Sequence, residues 1–184
     1  MLTKSRKRRF LNSSLALLSV FMLAIMGIGI NNMLAQDTDE VTKDTPDENS
    51  IEIKLYFLDS DGNNLVPEKR YISQFGNITD QVKLTLLELS RGPQTGMAPS
   101  IPQSIDIREV FIDDKQCAYI DFARSITQNH SGGTTGELVT IASIVNTLTA
   151  SFPKHIRKVR ILIDGKESGT IAGHIDISKP IFPF

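Results

Sequence analysis

The chain has 184 residues, with 20 lysine and arginine residues against 21 aspartate and glutamate residues, and a formal net charge of −1. This near-neutral balance argues against a nucleic-acid partner bound by bulk charge. A single cysteine, Cys117, excludes an internal disulfide. The charges are unevenly placed, since five of the cations lie in residues 1–9 and residues 10–36 carry no charge.

The N-terminal segment has the pattern of a membrane-inserted export sequence. The uncharged stretch 15–34 follows the cations and spans 20 residues, about 30 Å as a helix, which matches a bilayer core. We interpret residues 1–14 as a basic cytoplasmic N-terminus and residues 15–34 as a transmembrane signal-anchor of the cytoplasmic (inner) membrane, with the rest outside. The alternative is cleavage after Ala35, which places the bulky Met33 where a small residue is preferred.

An acidic segment precedes the globular part of the chain. Residues 37–50 hold six acids and one lysine, too few apolar groups to fold, so residues 35–50 are predicted to be a flexible linker. Residues 51–184 carry near-balanced charge and form the predicted extracytoplasmic domain. A domain of this size buries about two thirds of its unfolded surface and folds without a metal or a disulfide.

The first half of this domain is predicted to be two strands and a helix. Residues 51–58 begin with strict alternation and read as a strand, and residues 65–73 pair back as an edge strand because Pro67 suits no central position. Thr79 is the expected N-cap of the first helix, which ends at 92–93. Its apolar stripe consists of Val82, Leu86, Leu87 and Leu89.

The second half is predicted to be a hairpin, a long helix and a strand. Residues 105–112 and 116–122 form the hairpin, and residues 158–163 and 171–177 read as later strands. Thr134 and Glu137 match a capping box that opens a helix ended by Pro153. Its expected buried face is Leu138, Ile141, Ala142, Val145 and Leu148. The order predicts an α+β, two-layer sandwich of split βαββαβ type, with helices packed on one face of a mixed sheet.

Three short motifs carry weak chemical signals. Residues 59–64 carry oxygen ligands at alternate positions like a calcium loop, but Asn64 and Arg70 stand where that loop needs glycine and an acid, so a β-turn is favoured. The glycine-rich stretch 132–136 lacks the Gly-Lys-Ser/Thr of a phosphate loop and is interpreted as a helix entry. Ser151 and Lys154 have the spacing of penicillin-recognising serine enzymes, but Pro153 breaks the helical turn that they would share.

The remaining reactive residues form no recognisable site. His130, His155 and His174 lie far apart in sequence without metal-ligand spacing, and Cys117 is expected to be buried in a strand. Asp113, Asp114 and Asp121 are not marked as a catalytic pair. A basic cluster, Lys154, His155, Arg157, Lys158 and Arg160, is expected to be a solvated face, with an anionic partner as the alternative. The sequence thus predicts no catalytic, cofactor-binding or metal residues.

The order of several segments resembles the GerMN domain of sporulation and germination proteins over about residues 51–180. The matching segments are residues 86–93 (LLELSRGP), 100–102 (SIP), 118–122 (AYIDF), 136–153, 159–165 (VRILIDG) and 173–177 (GHIDI). The resemblance implies an extracytoplasmic, non-catalytic α+β module, similar in fold to the ring-building motifs of secretion and sporulation channels. Family members are often lipoproteins, whereas here an apolar anchor replaces the lipid-bearing cysteine, and Ala123 stands where serine is frequent.

Three functions remain open from the sequence. The favoured hypothesis is a protein-interaction component of a cell-envelope or sporulation/germination-type complex, whose partner is an envelope protein or a second copy. The second hypothesis is a peptidoglycan-associated accessory, which would need exposed aromatic residues such as Tyr56, Tyr71 and Tyr119. An enzyme is the third, and would require a histidine to converge with acids in a cleft.

Overall fold

The computed structural model describes residues 48–184. The predicted cytoplasmic N-terminus, the transmembrane segment 15–34 and residues 35–47 of the predicted linker lie outside the described residues. Within the described part, no helix is both long enough and apolar enough to cross a membrane.

The described part of the chain begins with an antiparallel hairpin of two strands, β1 (Ser50–Leu58) and β2 (Leu65–Ser73). Asp59 closes the turn, since its carboxylate accepts the backbone N–H of Asn63 at 2.8 Å and the side-chain amide of Asn64 at 2.8 Å. Both strands alternate, so that one face of the hairpin is buried. The predicted strand at 51–58 and edge strand at 65–73 are confirmed.

Helix α1 (Ile78–Ser90) follows the hairpin. Its N-cap is Asn77, whose side chain accepts the backbone N–H of Thr79, so the predicted cap at Thr79 is wrong by two residues. Val82, Leu86 and Leu89 are buried as expected. Leu87, which the sequence also predicts to be in the apolar stripe, is 41% exposed, so this part of the prediction is wrong.

The second sheet has the order β3 (Ile107–Ile112), β4 (Cys117–Phe122), β5 (Lys158–Ile163) and β6 (Lys166–Glu167). β3 and β4 form the predicted hairpin, with a bulge in β3 between Ile107 and Glu109. β5 lies parallel to β4, with Ile120 opposite Ile161. The sheet is therefore mixed, as the sequence predicts.

Two helices lie between β4 and β5. The polar connection contains an unpredicted single turn, α2 (Ser125–Gln128), which buries Ile126. Helix α3 (Thr134–Ser151) starts after Gly133, whose φ of +80° explains the glycine. No side chain caps this helix, so the predicted capping box is wrong. Leu138 is 40% exposed, whereas the rest of the predicted face is buried: Ile141, Ala142, Val145 and Leu148.

The strands divide into two sheets, which corrects the single mixed sheet of the sequence prediction. The outer edge of β1 pairs with no strand because hydroxyl groups of α3 occupy it. Thr147 Oγ1 accepts the N–H of Tyr56 at 3.0 Å, and Ser151 Oγ accepts the N–H of Lys54 at 2.9 Å. A single bridge to Ala98 completes this edge at Leu58. With the outward backbone groups of Lys54, Tyr56 and Leu58 satisfied, this part of β1 has no need of a further strand.

The last predicted strand, residues 171–177, is wrong, since this segment is irregular. The edge of β5 is taken instead by β6 and by a bridge between Val159 and Ile181. The backbone of 171–174 bonds to the carboxylate of Glu137 rather than to a strand. A single core nevertheless joins both sheets and both longer helices, because Phe57, Leu86, Ile120 and Leu148 belong to one buried cluster.

Candidate interaction surface

The two-stranded sheet has an open edge. β2 pairs with β1 on one side, and none of residues 48–184 forms a strand on its other side. The side chains of Pro67, Lys69, Tyr71 and Ser73 are exposed along this strand. Unpaired backbone N–H and C=O groups at a sheet edge are a template for pairing with another chain.

A groove of about 370 Å³ lies beside the open edge. Residues 70–73 of β2 line one side, and Leu84, Glu88 and Arg91 line the other. Helix α1 therefore leaves space next to the edge rather than covering it. The groove thus adjoins the side of β2 on which an added strand would lie.

A buried ionic cluster fixes β2 to the end of α1. Arg70, only 4% exposed, donates from Nη1 to Glu88 Oε2 at 3.0 Å and from Nη2 to the backbone oxygen of Gly92 at 3.1 Å. Nη2 also pairs with Glu68, and Arg91 pairs with Glu88. Two cations, the buried Arg70 and the largely exposed Arg91, thus balance two buried carboxylates.

Glu68 also holds the loop that follows α1. Its Oε2 accepts the backbone N–H groups of Gln94 at 3.0 Å and of Thr95 at 3.1 Å, and the Thr95 hydroxyl at 2.9 Å. Burial opposes ionisation, but hydrogen bonds from Arg70, Thr95 and Gln94 outweigh it and lower the pKa of Glu68. The carboxylate is therefore charged at neutral pH and orders the loop below the open edge.

A second groove, of about 360 Å³, lies between the proline-rich loop and the start of α3. His130 lines it, but both ring nitrogens are engaged, Nδ1 with the N–H of Gly132 at 2.9 Å and Nε2 with the Thr140 hydroxyl at 3.1 Å. Thr140 in turn donates to the backbone oxygen of Ser100 at 3.1 Å. This histidine stabilises the loop and has no carboxylate among its hydrogen-bond partners.

Glu137 is a fully buried carboxylate at the start of α3. It accepts backbone N–H groups from Ile171 at 2.8 Å, Ala172 at 3.0 Å and His174 at 2.8 Å. His174 Nδ1 also lies 3.3 Å from it. Burial opposes its ionisation, but the backbone bonds prevail and lower the pKa of Glu137. Its arrangement is that of a structural anchor for residues 171–174.

The predicted basic cluster does not form one charged patch. Arg160 is 9% exposed and pairs with Glu167 at 2.7 Å. Lys158 Nζ lies 5.9 Å from the ring centre of Phe182. Lys154, His155 and Arg157 are exposed in the turn before β5. The prediction of a solvated face is therefore confirmed for Lys154, His155 and Arg157, whereas Arg160 is a buried residue of β5.

The three short motifs singled out in the sequence have structural roles in the fold. Asp59 binds its own turn, and Ser151 bonds to β1, while Lys154 is exposed beyond the end of α3. Residues 132–136 lead into α3, the helix entry that the sequence predicts. Among the described residues, no group of histidine, cysteine and acidic side chains has the arrangement of a metal site.

Cys117 and the three aspartates are not brought together as a reactive group. Cys117 is 1% exposed, and burial raises the pKa of its thiol. Asp113 accepts the N–H groups of Lys115 and Cys117 and so closes the hairpin turn. Asp114 is exposed in that turn. Asp121 binds Arg108 Nε at 3.1 Å and the N–H of Gly165 at 2.7 Å.

Sequence reasoning missed the cluster of Glu68, Arg70 and Glu88. A signal for it exists, since Glu68 and Arg70 alternate in step with Val66 and Ile72 and so share the inward face of β2. Two opposite charges on an inward face indicate a buried pair. Its third member, Glu88, comes from α1 and is brought near only by the fold.

The comparisons with solved structures agree with this architecture. The chain is similar to a candidate lipoprotein from Clostridium perfringens, with 26% identity and a TM-score of 0.52 over 75% of this chain and 91% of that one. It is also similar to the first GerMN domain of the sporulation protein GerM from Bacillus subtilis, with 21% identity and a TM-score of 0.60 over 72% and 97%. The tandem GerMN domains of that protein match with the same identity and score, over 46% of that chain.

A family comparison extends the structural likeness to sequence. No curated protein matches the chain in sequence. The family model Germane, described as sporulation and spore germination, matches residues 54–169, more than half of the chain. The resemblance drawn from the motif order is confirmed, and the chain belongs to the Germane family of sporulation and spore germination domains.

Proposed function

We propose that this protein is a membrane-anchored, extracytoplasmic GerMN-type module that acts without catalysis as a protein-interaction component of an envelope assembly. The observation that carries this proposal is the open edge of β2 beside a groove. A sporulation and germination family assignment supports the type of process. The basic flank and the apolar stretch 15–34 support an anchor in the cytoplasmic membrane.

The absence of a catalytic role is part of the proposal. Hydrogen bonds within the fold already engage His130, Glu137 and Asp121, so each of these groups has a structural function. General acid–base catalysis needs a group that is free to reach a substrate proton. Purified protein incubated with peptidoglycan is expected to release no soluble fragments.

A wall-associated accessory is the second candidate function. Phe111 is 62% exposed and lies against Tyr119, with ring centres 5.9 Å apart, on the β3–β4 hairpin. Exposed aromatic rings are suited to stacking on sugars. Of the three tyrosines, however, Tyr71 is exposed whereas Tyr56 and Tyr119 are half-buried, which favours the interaction module.

Site-specific photo-crosslinking tests the proposed function. A photoreactive amino acid is placed at Tyr71 on the open edge or, as the control, at Phe111 on the other sheet, in full-length protein in its own membranes. We expect protein adducts at position 71 in excess of those at position 111, identified by mass spectrometry. Adducts with wall glycan at position 111 and none with protein at position 71 would support the accessory role instead.

A further inference from the structure

The hydrogen bonds at the two ends of the β1–β2 hairpin show which β2 groups face outward. The N–H of Asp59 bonds to Asn64 O at 2.9 Å, and the N–H of Gln74 bonds to Asn49 O at 2.9 Å. Directly bonded pairs in an antiparallel ladder recur at every second residue. The even-numbered residues of β2 therefore bond to β1, and Pro67, Lys69, Tyr71 and Ser73 direct their backbone groups to the open edge.

This edge has an uneven set of donors and acceptors. Lys69 and Tyr71 each offer an N–H and a C=O group. Pro67 offers only its C=O, because proline has no N–H. Ser73 offers its N–H, since its C=O already accepts Gln81 Nε2 at 3.0 Å. A donor is thus missing at one end of the edge, and an acceptor is occupied at the other.

We propose that the partner strand at this edge is β2 of a second copy of the chain, paired antiparallel with Lys69 opposite Tyr71. This inference rests on the proposed assembly function and names its partner. In this register Pro67 lies opposite Ser73 of the second copy. Pro67, which has no N–H, then faces the C=O of Ser73 of the second copy, which Gln81 already engages. All other outward backbone groups of residues 67–73 find a partner in the second copy.

The side chains favour the same register. Lys69 of one copy faces the ring of Tyr71 of the other, beside Glu52, which the Tyr71 hydroxyl contacts at 3.3 Å. Directly opposed residues in a ladder interact, and a cation beside an aromatic ring and a carboxylate is favourable. A shift by one pair places Lys69 opposite Lys69, each already paired with Glu52 of its own chain at 3.1 Å, and so loses the contact between Lys69 and the Tyr71 ring. It also leaves Pro67 facing the unengaged carbonyl of Tyr71.

The buried face of β2 is compatible with this two-fold axis. Arg70 lies on the axis, so the two copies of this arginine are neighbours. Each one is already neutralised by Glu68 and Glu88 within its own chain. The association therefore brings no uncompensated buried charge together.

Disulfide trapping in membranes tests the pairing. Two full-length copies with different tags are co-expressed, one carrying Lys69→Cys and the other Tyr71→Cys. Directly bonded residues of antiparallel strands have Cα atoms about 5.5 Å apart, within the range that a disulfide spans. We expect mild oxidation to join the two tags, with a yield at least about tenfold above that of the pair Lys69→Cys and Glu109→Cys, whose second cysteine lies on β3.

Proline at position 71 provides the matched test of the backbone bonds. The N–H of Tyr71 faces outward, as that of position 67 would, so Tyr71→Pro removes an edge donor without breaking a bond to β1. Light scattering of full-length protein in detergent is expected to show a dimer for the parent and for Tyr71→Phe, and a monomer for Tyr71→Pro. Equal far-UV circular dichroism spectra and a cooperative thermal transition in both variants are the control for folding, since loss of a dimer by itself lowers the unfolding temperature.

Three results would overturn the inference. These are cysteine yields no higher than the control, preferential linkage of Lys69→Cys to itself, and a dimer that survives Tyr71→Pro. If a different envelope protein occupies position 71 in the crosslinking experiment, the second-copy inference fails while the proposed function stands. Absence of any protein adduct there would contradict both.

Discussion

A single buried carboxylate, Glu137, holds the C-terminal segment to the start of α3. Three backbone N–H groups of residues 171–174 converge on it, although the segment has no regular structure of its own. The carboxylate must remain ionised to accept all of them. The pKa of Glu137 and that of Glu68 are both lowered from an ordinary value of 4.5.

We expect the free energy of unfolding to fall as the pH drops from about 5 to about 3. A lowered folded-state pKa means that the ionised carboxylate stabilises the fold above pH 4.5, and this contribution is lost as the pH falls through the folded-state pKa. Glu137→Gln is expected to flatten this fall and to cost about 2 kcal/mol at pH 7. Denaturant unfolding at several pH values measures both.

The control for this prediction is Glu109→Gln, because the Glu109 side chain is 82% exposed. This variant is expected to keep the pH slope of the parent. Hydrogen exchange gives a local readout, since the amides of Ile171 and His174 are expected to exchange faster in Glu137→Gln. An unchanged slope with unchanged exchange would show that Glu137 does not anchor the segment.

At the scale of elements, α3 takes the place of a neighbouring strand beside β1. Ser143, Thr147 and Ser151 lie four residues apart along the helix and so share one face. Their hydroxyls bond to the backbone of Tyr56 and Lys54, with Ser143 Oγ 2.6 Å from Tyr56 O. A helix normally packs on a sheet through apolar side chains, whereas this face also satisfies the sheet edge.

Removing one hydroxyl of this row is expected to destabilise the fold. Thr147→Val keeps the shape of the side chain but leaves the buried N–H of Tyr56 without its acceptor, at a cost of about 1–3 kcal/mol. Thr149→Val is the matched control, since Thr149 bonds only to backbone oxygens of its own helix, at Val145 and Asn146. Denaturant midpoints are compared. Equal effects of the two variants would contradict the role of the row.

At the scale of the whole domain, the two sheets are joined by side chains rather than by backbone bonds. Phe57 of the first sheet and Ile120 of the second are both fully buried in one apolar cluster. A continuous core of this kind couples its elements in a single cooperative transition. We therefore expect β2 and its open edge to unfold together with the rest of the domain.

Phe57→Ala is expected to lower the stability of both sheets together. The cavity and the lost burial cost about 3–5 kcal/mol. Hydrogen exchange should then accelerate in β4 as well as in β1. Phe111→Ala, at a ring that is 62% exposed, is the control and should change stability by much less. Loss of protection confined to β1 and β2 would show that the first sheet unfolds alone.

The sequence by itself determined the elements whose cause is local. Apolar periodicity located the two hairpins, the longer helices and β5, and Pro67 marked β2 as an edge strand. The motif order was sufficient to recognise the family. The periodicity depends on residues a few positions apart, and the motif order is a property of the sequence itself, so neither requires knowledge of the tertiary structure.

Only the tertiary structure decided how distant backbone groups are satisfied. The hydroxyl row of α3 closes β1 and divides the strands into two sheets, and Glu137 binds residues 171–174 where a strand had been expected. Glu137 also fits the pattern of a local capping box, so its sequence neighbours give no sign of this long-range role. The open edge of β2 has the same kind of cause. Whether its backbone N–H groups are paired depends on which elements lie beside the strand in the folded domain.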